Sequence, residues 1–231
     1  GRTYEPQVLD SFGFIVLDEA HHLGARFFSQ VFFAVKSKYV LGLTATPKRK
    51  DNCSQLLHDH MGPVAYQAID SSLGCASVVQ VKVSSPWVSR KGTELDKGQV
   101  ELLKTKVAVH DTARNGLLVE WCARAVRAGR RCMLLSHRTK HLELLKLEFD
   151  RLAGASFTSA LYIGGMTRGA REAASAAQCI FGGFSFAQEG LDIPELDFLI
   201  LATPAADVVQ AVGRILREAE DKKPPLVIDI V

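Results

Sequence analysis

Short apolar runs alternate along the chain with segments of helical periodicity. Near the start, FGFIVLDE and KYVLGLTATP predict buried strands, and GARFFSQVFFAV between them predicts a helix. Continuous apolar runs bounded by turn residues are typical of strands in a parallel sheet that is covered on both faces. Two strands are too few for a complete sheet, so this part of the chain predicts half of an α/β domain.

The alternation becomes more regular after residue 110. A helix is predicted there because Leu117, Trp121 and Ala125 recur at helical spacing and Asp111 is a suitable N-cap residue. Strands and helices then alternate as far as the terminal strand PPLVIDIV. This part of the chain predicts a doubly wound α/β domain with a parallel sheet.

The segment between these two parts is rich in serine and glycine. It holds a single strand-like run, VVQVKV, and reads as a connector with its own strand. We therefore expect a partial first domain over residues 1–75, a connector over 76–110 and a nearly complete second domain over 111–231.

Composition narrows the class of protein. The chain has 231 residues, of which 47% are hydrophobic and 23% charged, and this suits a globular protein. A formal charge of +3 permits a nucleic-acid partner but does not require one. No apolar stretch approaches the roughly 20 residues of a membrane span, so no membrane partner is expected.

The cysteines indicate the compartment. They are odd in number and never form a C-x-x-C pair, which suggests neither a disulfide framework nor a zinc site. We therefore expect a reducing, intracellular location. The five cysteines are Cys53, Cys75, Cys122, Cys132 and Cys179.

Two adjacent carboxylates follow the first predicted strand. Asp18 and Glu19 fall where a parallel sheet binds its ligands, beyond the carboxyl end of a strand. One carboxylate can hold Mg²⁺ there, and the other can polarise an attacking water. The alternative is that both merely cap the next helix, and for this pair taken alone that interpretation is favoured.

A basic stripe is predicted near the end of the chain. Gln210, Arg214 and Arg217 stand at i, i+4 and i+7, so they share one face of a predicted helix. The planar guanidinium fork suits phosphate, although a solvated basic face is the alternative. A second stripe, expected to pack against the core, consists of Val208, Val212 and Ile215.

Five separated segments together resemble motifs II to VI of the superfamily 2 helicases. In order, they are LDEAHHL, GLTATPKRKD, LLSHRTKHLELL, QEGLDIPELD and QAVGRILR. The likeness is greatest to DEAH-type helicases of large DNA viruses related to the poxvirus transcript-release helicase, and next to XPB-type helicases. It implies two RecA-like parallel-sheet folds, the first of them partial.

The resemblance implies an ATP-dependent helicase or translocase that uses ATP and Mg²⁺. Asp18 would bind Mg²⁺, and Glu19 would be the general base of ATP hydrolysis. Arg214 and Arg217 would stabilise charge on the transferred phosphoryl group. Further nucleotide contacts would come from Gly190, Asp192 and Gln210.

Coupling and nucleic-acid residues are also implied by the resemblance. Hydrolysis would be coupled to movement by His21, Thr44 and Thr46. The partner would be nucleic acid, DNA rather than RNA, contacted by Ser136, His137, Arg138 and Gly183. Gly182 and Gly183 replace the Ala-Thr pair usual in the viral relatives, so either a glycine N–H replaces the threonine hydroxyl at the phosphate or this contact is weaker.

A P-loop is missing from the sequence. Its motif requires a Gly-Lys dipeptide, and none occurs in the 231 residues. We therefore expect a fragment of a helicase whose P-loop lies upstream, inactive in ATP hydrolysis by itself. The alternative is a catalytically silent RecA-fold module that binds nucleic acid or protein. The resemblance further implies a viral protein acting in the host nucleus or cytoplasm.

Overall fold

Two compact units make up the chain, and the boundary between them falls between Asp70 and Ser71. The computed structural model describes residues 11–20, 36–44, 54–67, 74–83, 109–184, 193–204 and 208–230. The helix predicted in GARFFSQVFFAV lies outside these residues. The domain boundaries predicted at 75/76 and 110/111 stay predictions.

Both predicted strands of the first unit are confirmed. Strand β1 (Phe14–Leu17) pairs in parallel with β2 (Tyr39–Gly42), and helix α1 (Ser54–Met61) follows. Gly42 allows α1 to approach β2 closely, because a Cβ at Gly42 would lie 2.6 Å from Met61 Sδ. The side chains of Ala20 and Leu57 are buried in this unit.

The expectation that these strands are buried on both faces was wrong. Exposed and half-buried positions alternate along β1 and β2, as they do when only one face of a sheet is covered. The more exposed face carries Phe14, Val16, Tyr39 and Leu41.

The second unit contains a parallel sheet of six strands in the order β3-β8-β7-β4-β6-β5. This confirms the predicted α/β class with a parallel sheet. The segment predicted as a connector supplies the edge strand β3, which pairs with β8. The strands are β3 (Ser77–Val81), β4 (Cys132–Ser136), β5 (Ser159–Tyr162), β6 (Cys179–Gly183), β7 (Phe198–Leu201) and β8 (Leu226–Ile230).

Four α-helices, among the described residues, accompany this sheet: α2 (Thr112–Arg127), α3 (Thr139–Ala153), α4 (Arg168–Ser175) and α5 (Val209–Ile215). The predicted N-cap of α2 is confirmed, since Asp111 Oδ1 accepts a hydrogen bond of 3.0 Å from the Arg114 N–H. None of the described helices is long and apolar enough to cross a membrane.

Strand β4 separates two apolar clusters because its successive side chains point to opposite faces of the sheet. Leu134 belongs to the cluster formed with α2 and α3, whose largest members include Phe149. Leu135 belongs to the other cluster, together with Ile215 of α5. Burial of all five β4 residues explains the unbroken apolar run in the sequence.

Three cysteines converge in the first of these clusters. Cys122 lies on α2, Cys132 begins β4 and Cys179 begins β6, and none of the three is exposed. Their Sγ atoms lie within 4.8 Å of one another. Local sequence patterns do not predict this cluster, because its members lie on three different elements.

Candidate functional site

An acidic turn follows β1, directly beside the end of β2. The Leu43 N–H donates to Leu17 O at 2.9 Å, and the Ala20 N–H donates to Leu43 O at 2.8 Å. These two bonds fix the backbone between Leu17 and Ala20, which carries Asp18 and Glu19. Both acidic residues are exposed at the carboxyl edge of the two strands.

Glu19 adopts a left-handed backbone conformation, with φ of 49°. For a residue with a Cβ this costs about 1–2 kcal/mol, and such residues concentrate at functional sites. The turn is held partly by the Glu19 N–H, which donates to Asp18 Oδ1 at 2.8 Å. The buried Ala20 that follows anchors its other side.

Several predicted site residues lie outside the described part of the chain. They are His21, Thr46, Gly190 and Asp192, together with the side chain of Gln210. Thr44 is described: it is exposed and follows Leu43, beside the acidic turn. The roles predicted for all of these residues stay predictions.

In the second unit, the predicted nucleic-acid residues gather at the carboxyl edge of the sheet. Ser136 ends β4 and is the register partner of Gly183, which ends β6. The His137 ring stacks on Phe184 with 4.4 Å between ring centroids. The structure thus brings together Ser136, His137 and Gly183, although they come from segments more than 40 residues apart in the sequence.

The end of β7 holds the turn after β4 in place. Thr203 Oγ1 accepts a hydrogen bond of 3.1 Å from the His137 N–H. Ala202 supports the same junction, since its N–H donates to Leu135 O at 2.9 Å. Because Thr203 is buried, water cannot readily replace its hydroxyl as the acceptor of the His137 N–H.

The Ser136 side chain points into the fold. Its Oγ lies 3.0 Å from His141 Nδ1, and it also accepts the Arg138 N–H at 3.2 Å. His141 Nε2 lies 2.9 Å from Asn115 Oδ1. Ser136 therefore holds the turn through buried partners, and its predicted contact with nucleic acid stays a prediction.

The donors and acceptors of this chain can be assigned. Asn115 Nδ2 donates to Val109 O at 3.1 Å, which leaves Asn115 Oδ1 as the acceptor for His141. The Nε2–H of a neutral His141 ring donates to that oxygen, and Nδ1 accepts the Ser136 hydroxyl proton. A protonated ring would instead donate from both nitrogens, with Ser136 Oγ as the acceptor at Nδ1, so these contacts fit a neutral ring without requiring one.

Electrostatics agree with a neutral ring. Burial lowers the pKa of His141 from 6.5 to about 4, with a smaller contribution from the charge of Arg114. Burial also lowers the pKa of Arg114, although Asp111 and Asp229 oppose the shift. Arg114 Nη2 donates to Ala202 O and thereby joins α2 to the end of β7.

The predicted basic stripe needs one correction. Helix α5 ends at Ile215, and the Leu216 N–H bonds to Gly213 O at 3.3 Å, an i to i−3 bond that closes the last turn. Arg214 is therefore helical, but Arg217 lies beyond the helix and shares no helical face with it. The carbonyl of Arg217 accepts instead from Lys222 Nζ.

The predicted packing stripe of α5 is confirmed. Ile215 is buried, and Val208 and Val212 are partly buried against the same cluster. Arg214 and Arg217 are both half-buried. The structure thus fixes how α5 packs, while the phosphate role of the two arginines stays a prediction.

Sequence reasoning missed Asn115, His141 and Thr203. One signal was present, since His141, Leu145 and Phe149 stand at i, i+4 and i+8 on the buried face of α3. A polar residue on such a face must find hydrogen-bond partners in the core. Its partners Asn115 and Ser136 come from other elements, so the sequence could not name them.

Comparison with known proteins finds one matching family model and several similar proteins that are named as helicases or translocases. A family model described as the type III restriction enzyme res subunit matches residues 2–49. A protein of Acanthamoeba polyphaga mimivirus, named as an ATP-dependent RNA helicase, is 32% identical over 99% of this chain and 45% of its own length. One of African swine fever virus, named likewise, is 25% identical over 99% of this chain and 49% of its own length.

A cellular relative matches a shorter part. A DNA 3'-5' translocase of Sulfurisphaera tokodaii is 32% identical over 92 residues, which is 40% of this chain and 21% of that protein. The chain spans about half the length of the viral relatives.

Solved structures share the fold. Saccharomyces cerevisiae Dbp5 bound to RNA and ADP BeF3 superposes with a TM-score of 0.60 at 13% identity, covering 95% of this chain and 53% of Dbp5. The type ISP restriction-modification enzyme LlaBIII bound to DNA gives 0.62 at 22% identity, covering 95% of this chain and 18% of LlaBIII. These matches show the fold, a parallel α/β architecture shared with RecA-like helicase domains.

The buried histidine predicts a pH dependence of stability. Because the pKa of His141 is lowered to about 4 in the folded state, the folded protein binds fewer protons than the unfolded chain below pH 6.5. The free energy of unfolding does not depend on this group above about pH 6.5. Below that pH it falls, by about 3 kcal/mol in all as the pH approaches 4. Urea unfolding across this range measures it.

The matched control is His141→Gln, whose amide can donate to Asn115 and accept from Ser136 without titrating. We expect the difference in unfolding free energy between wild type and this variant to depend on pH in the same window. A difference that stays constant from pH 7 to about pH 4 would contradict a neutral, buried His141.

The Thr203 hydroxyl gives a second prediction. Thr203→Val removes the acceptor of the His137 N–H with little change of shape, so we expect a loss of about 1–3 kcal/mol and faster hydrogen exchange at the His137 amide. Exchange measured by nuclear magnetic resonance reports that amide directly. Thr203→Ser keeps the hydroxyl and should behave nearly as wild type; equal effects of the two variants would refute this role.

Proposed function

We propose that the chain is the downstream part of an ATP-driven motor that moves along nucleic acid. The observation that carries the proposal is the acidic turn: two exposed carboxylates, Asp18 and Glu19, fixed at the carboxyl end of β1 beside the end of β2. Nucleotides bind at this edge of parallel sheets, and the resemblance and the helicase relatives both point to ATP.

The donor set of the acidic turn fits Mg²⁺. This ion takes oxygen ligands and is usually held by one or two carboxylates, water and substrate phosphates. We assign Asp18 as its ligand, and Mg²⁺ bound there would neutralise charge on the nucleotide phosphates. The hydrogen bonds of Ala20 and Leu43 hold the Asp18 backbone still, which limits the reorganisation needed for binding.

Glu19 is assigned as the residue that orients the attacking water and accepts its proton. Its left-handed backbone supports this role, because strain of this kind persists only where surrounding contacts impose it. Arg214 and Arg217 are assigned to the charge that develops on the transferred phosphoryl group. We further assign nucleotide contacts to Gly190, Asp192 and Gln210, and coupling to His21, Thr44 and Thr46.

Nucleic acid is proposed to bind at the carboxyl edge of the second sheet. The turn from Ser136 to Arg138 and the backbone of Gly183 share this edge, and contacts of backbone N–H groups with phosphates set position without reading sequence. The exposed His137 ring, stacked on Phe184, offers a further flat surface for contact with a base.

The choice between RNA and DNA is left open in the proposal. The predicted preference for DNA is not supported, since the mimiviral and African swine fever virus relatives are named as RNA helicases. The Sulfurisphaera relative is named as a DNA translocase. The DEAH subtype, the grouping with the poxvirus helicase and a viral setting are proposals that rest on the motifs, and an intracellular location is one that rests on the cysteine pattern.

Glu19→Gln in the full-length protein tests the proposal. We expect nucleic-acid-stimulated ATP hydrolysis to fall by about 10²–10⁴-fold with ATP binding retained, because the amide cannot accept the water proton. Turnover is measured with single-stranded RNA and single-stranded DNA in parallel, which also decides the polymer. The 231-residue chain by itself is expected to show no turnover, because it lacks a Gly-Lys P-loop dipeptide.

The matched control is Glu172→Gln, which removes an exposed carboxylate of α4 that forms an ion pair with Arg168 at 2.9 Å. It should hydrolyse ATP at the wild-type rate. ATP hydrolysis by Glu19→Gln at the wild-type rate would contradict the catalytic role assigned to Glu19. A full-length protein that binds nucleic acid but neither binds nor hydrolyses ATP would identify the silent module instead.

A further inference from the structure

The three converging cysteines form a compact set of sulfur atoms. Cys132 and Cys179 are register partners on neighbouring parallel strands, and Cys122 faces them from α2. The three Sγ atoms lie within 4.8 Å of one another, and all three residues are fully buried. The set is independent of the proposed motor residues.

The sulfur spacing suits a single metal ion. Bonds from a metal ion to thiolate sulfur are about 2.3 Å long, so three sulfurs around a planar three-coordinate ion are separated by about 4.0 Å. The Sγ atoms lie at most 4.8 Å apart, so each sulfur–sulfur distance has to shorten by less than about 1 Å to reach that value. Side-chain rotation alone supplies movements of that size, and the strand backbones need not shift.

We propose that Cys122, Cys132 and Cys179 bind one soft, thiophilic metal ion in three-coordinate geometry, with monovalent copper as the best-fitting ion. Soft thiolate ligands select Cu(I), whereas structural zinc almost always takes four ligands. Among the described residues, the cluster holds three potential ligands and no fourth.

The surroundings of the cluster also favour three-coordination. Leu118, Phe149, Phe181 and Phe198 belong to the same buried cluster, so water is excluded as an additional ligand. Each thiol that bonds to the ion releases its proton to solvent, and no electron is transferred.

The position of the cluster predicts what binding does. Cys132 and Cys179 begin their strands, whereas Ser136 and Gly183 end the same strands at the proposed nucleic-acid edge. An ion at the cluster would join α2 to β4 and β6 without occupying that edge. Because the ion would bind the folded state, it should stabilise the second unit. The competing account is that the three cysteines serve only as small core residues, which predicts no metal binding.

Copper binding to the full-length protein tests the proposal. Cys53→Ser and Cys75→Ser are combined as a background that leaves only the three cluster cysteines among those of this chain. Cu(I) is added without oxygen in competition with a coloured Cu(I) chelator. We expect one Cu(I) retained per chain, a rise in the melting temperature, and loss of both effects in Cys122→Ala, Cys132→Ala and Cys179→Ala.

X-ray absorption at the copper edge keeps the proposal falsifiable if a core variant fails to fold. Three sulfur neighbours at about 2.3 Å are expected in the background protein. Failure of the folded background protein to retain Cu(I) against the chelator would overturn the proposal. So would a copper shell of nitrogen or oxygen, or undiminished binding by folded alanine variants.

Discussion

Parallel pairing of β4 with β6 and β7 is the constraint on which the second unit depends. It points the carboxyl ends of all three strands at one edge, where Ser136, Gly183 and Thr203 come together. It also brings the first residues of β4 and β6, Cys132 and Cys179, together at the opposite edge. One register thus places two chemically different groups of side chains at the two ends of the same strands.

The polar groups at the end of a buried strand must find hydrogen-bond partners inside the core. The bonds from Asn115 through His141 to Ser136 meet this need, and burial keeps the histidine neutral. Thr203 completes the junction by accepting the His137 N–H. The turn proposed to contact nucleic acid is therefore held by buried bonds on two sides.

In the first unit, hydrogen bonds also hold the acidic turn, but they come from fewer secondary-structure elements. Ala20 and Leu43 extend the pairing of β1 and β2 around Asp18 and Glu19, and the left-handed Glu19 absorbs the change of direction. Backbone hydrogen bonds thus fix the position of two exposed carboxylates whose side chains remain at the surface. This is a suitable arrangement for ligands that must meet a diffusing nucleotide.

The sequence by itself determined the order of strands and helices after residue 110, the parallel sheet, the N-cap at Asp111 and the acidic pair at the end of β1. These features depend on hydrophobic periodicity and helix capping, which involve only residues close together in the sequence and can be read from it directly. Only the tertiary structure decided that Asn115, His141 and Ser136 form one hydrogen-bonded chain, that three cysteines converge, that Arg217 lies beyond α5 and that one face of β1 and β2 is exposed. Those outcomes depend on contacts between elements that are far apart in the sequence. The register of the sheet sets these contacts, and local sequence patterns do not encode that register.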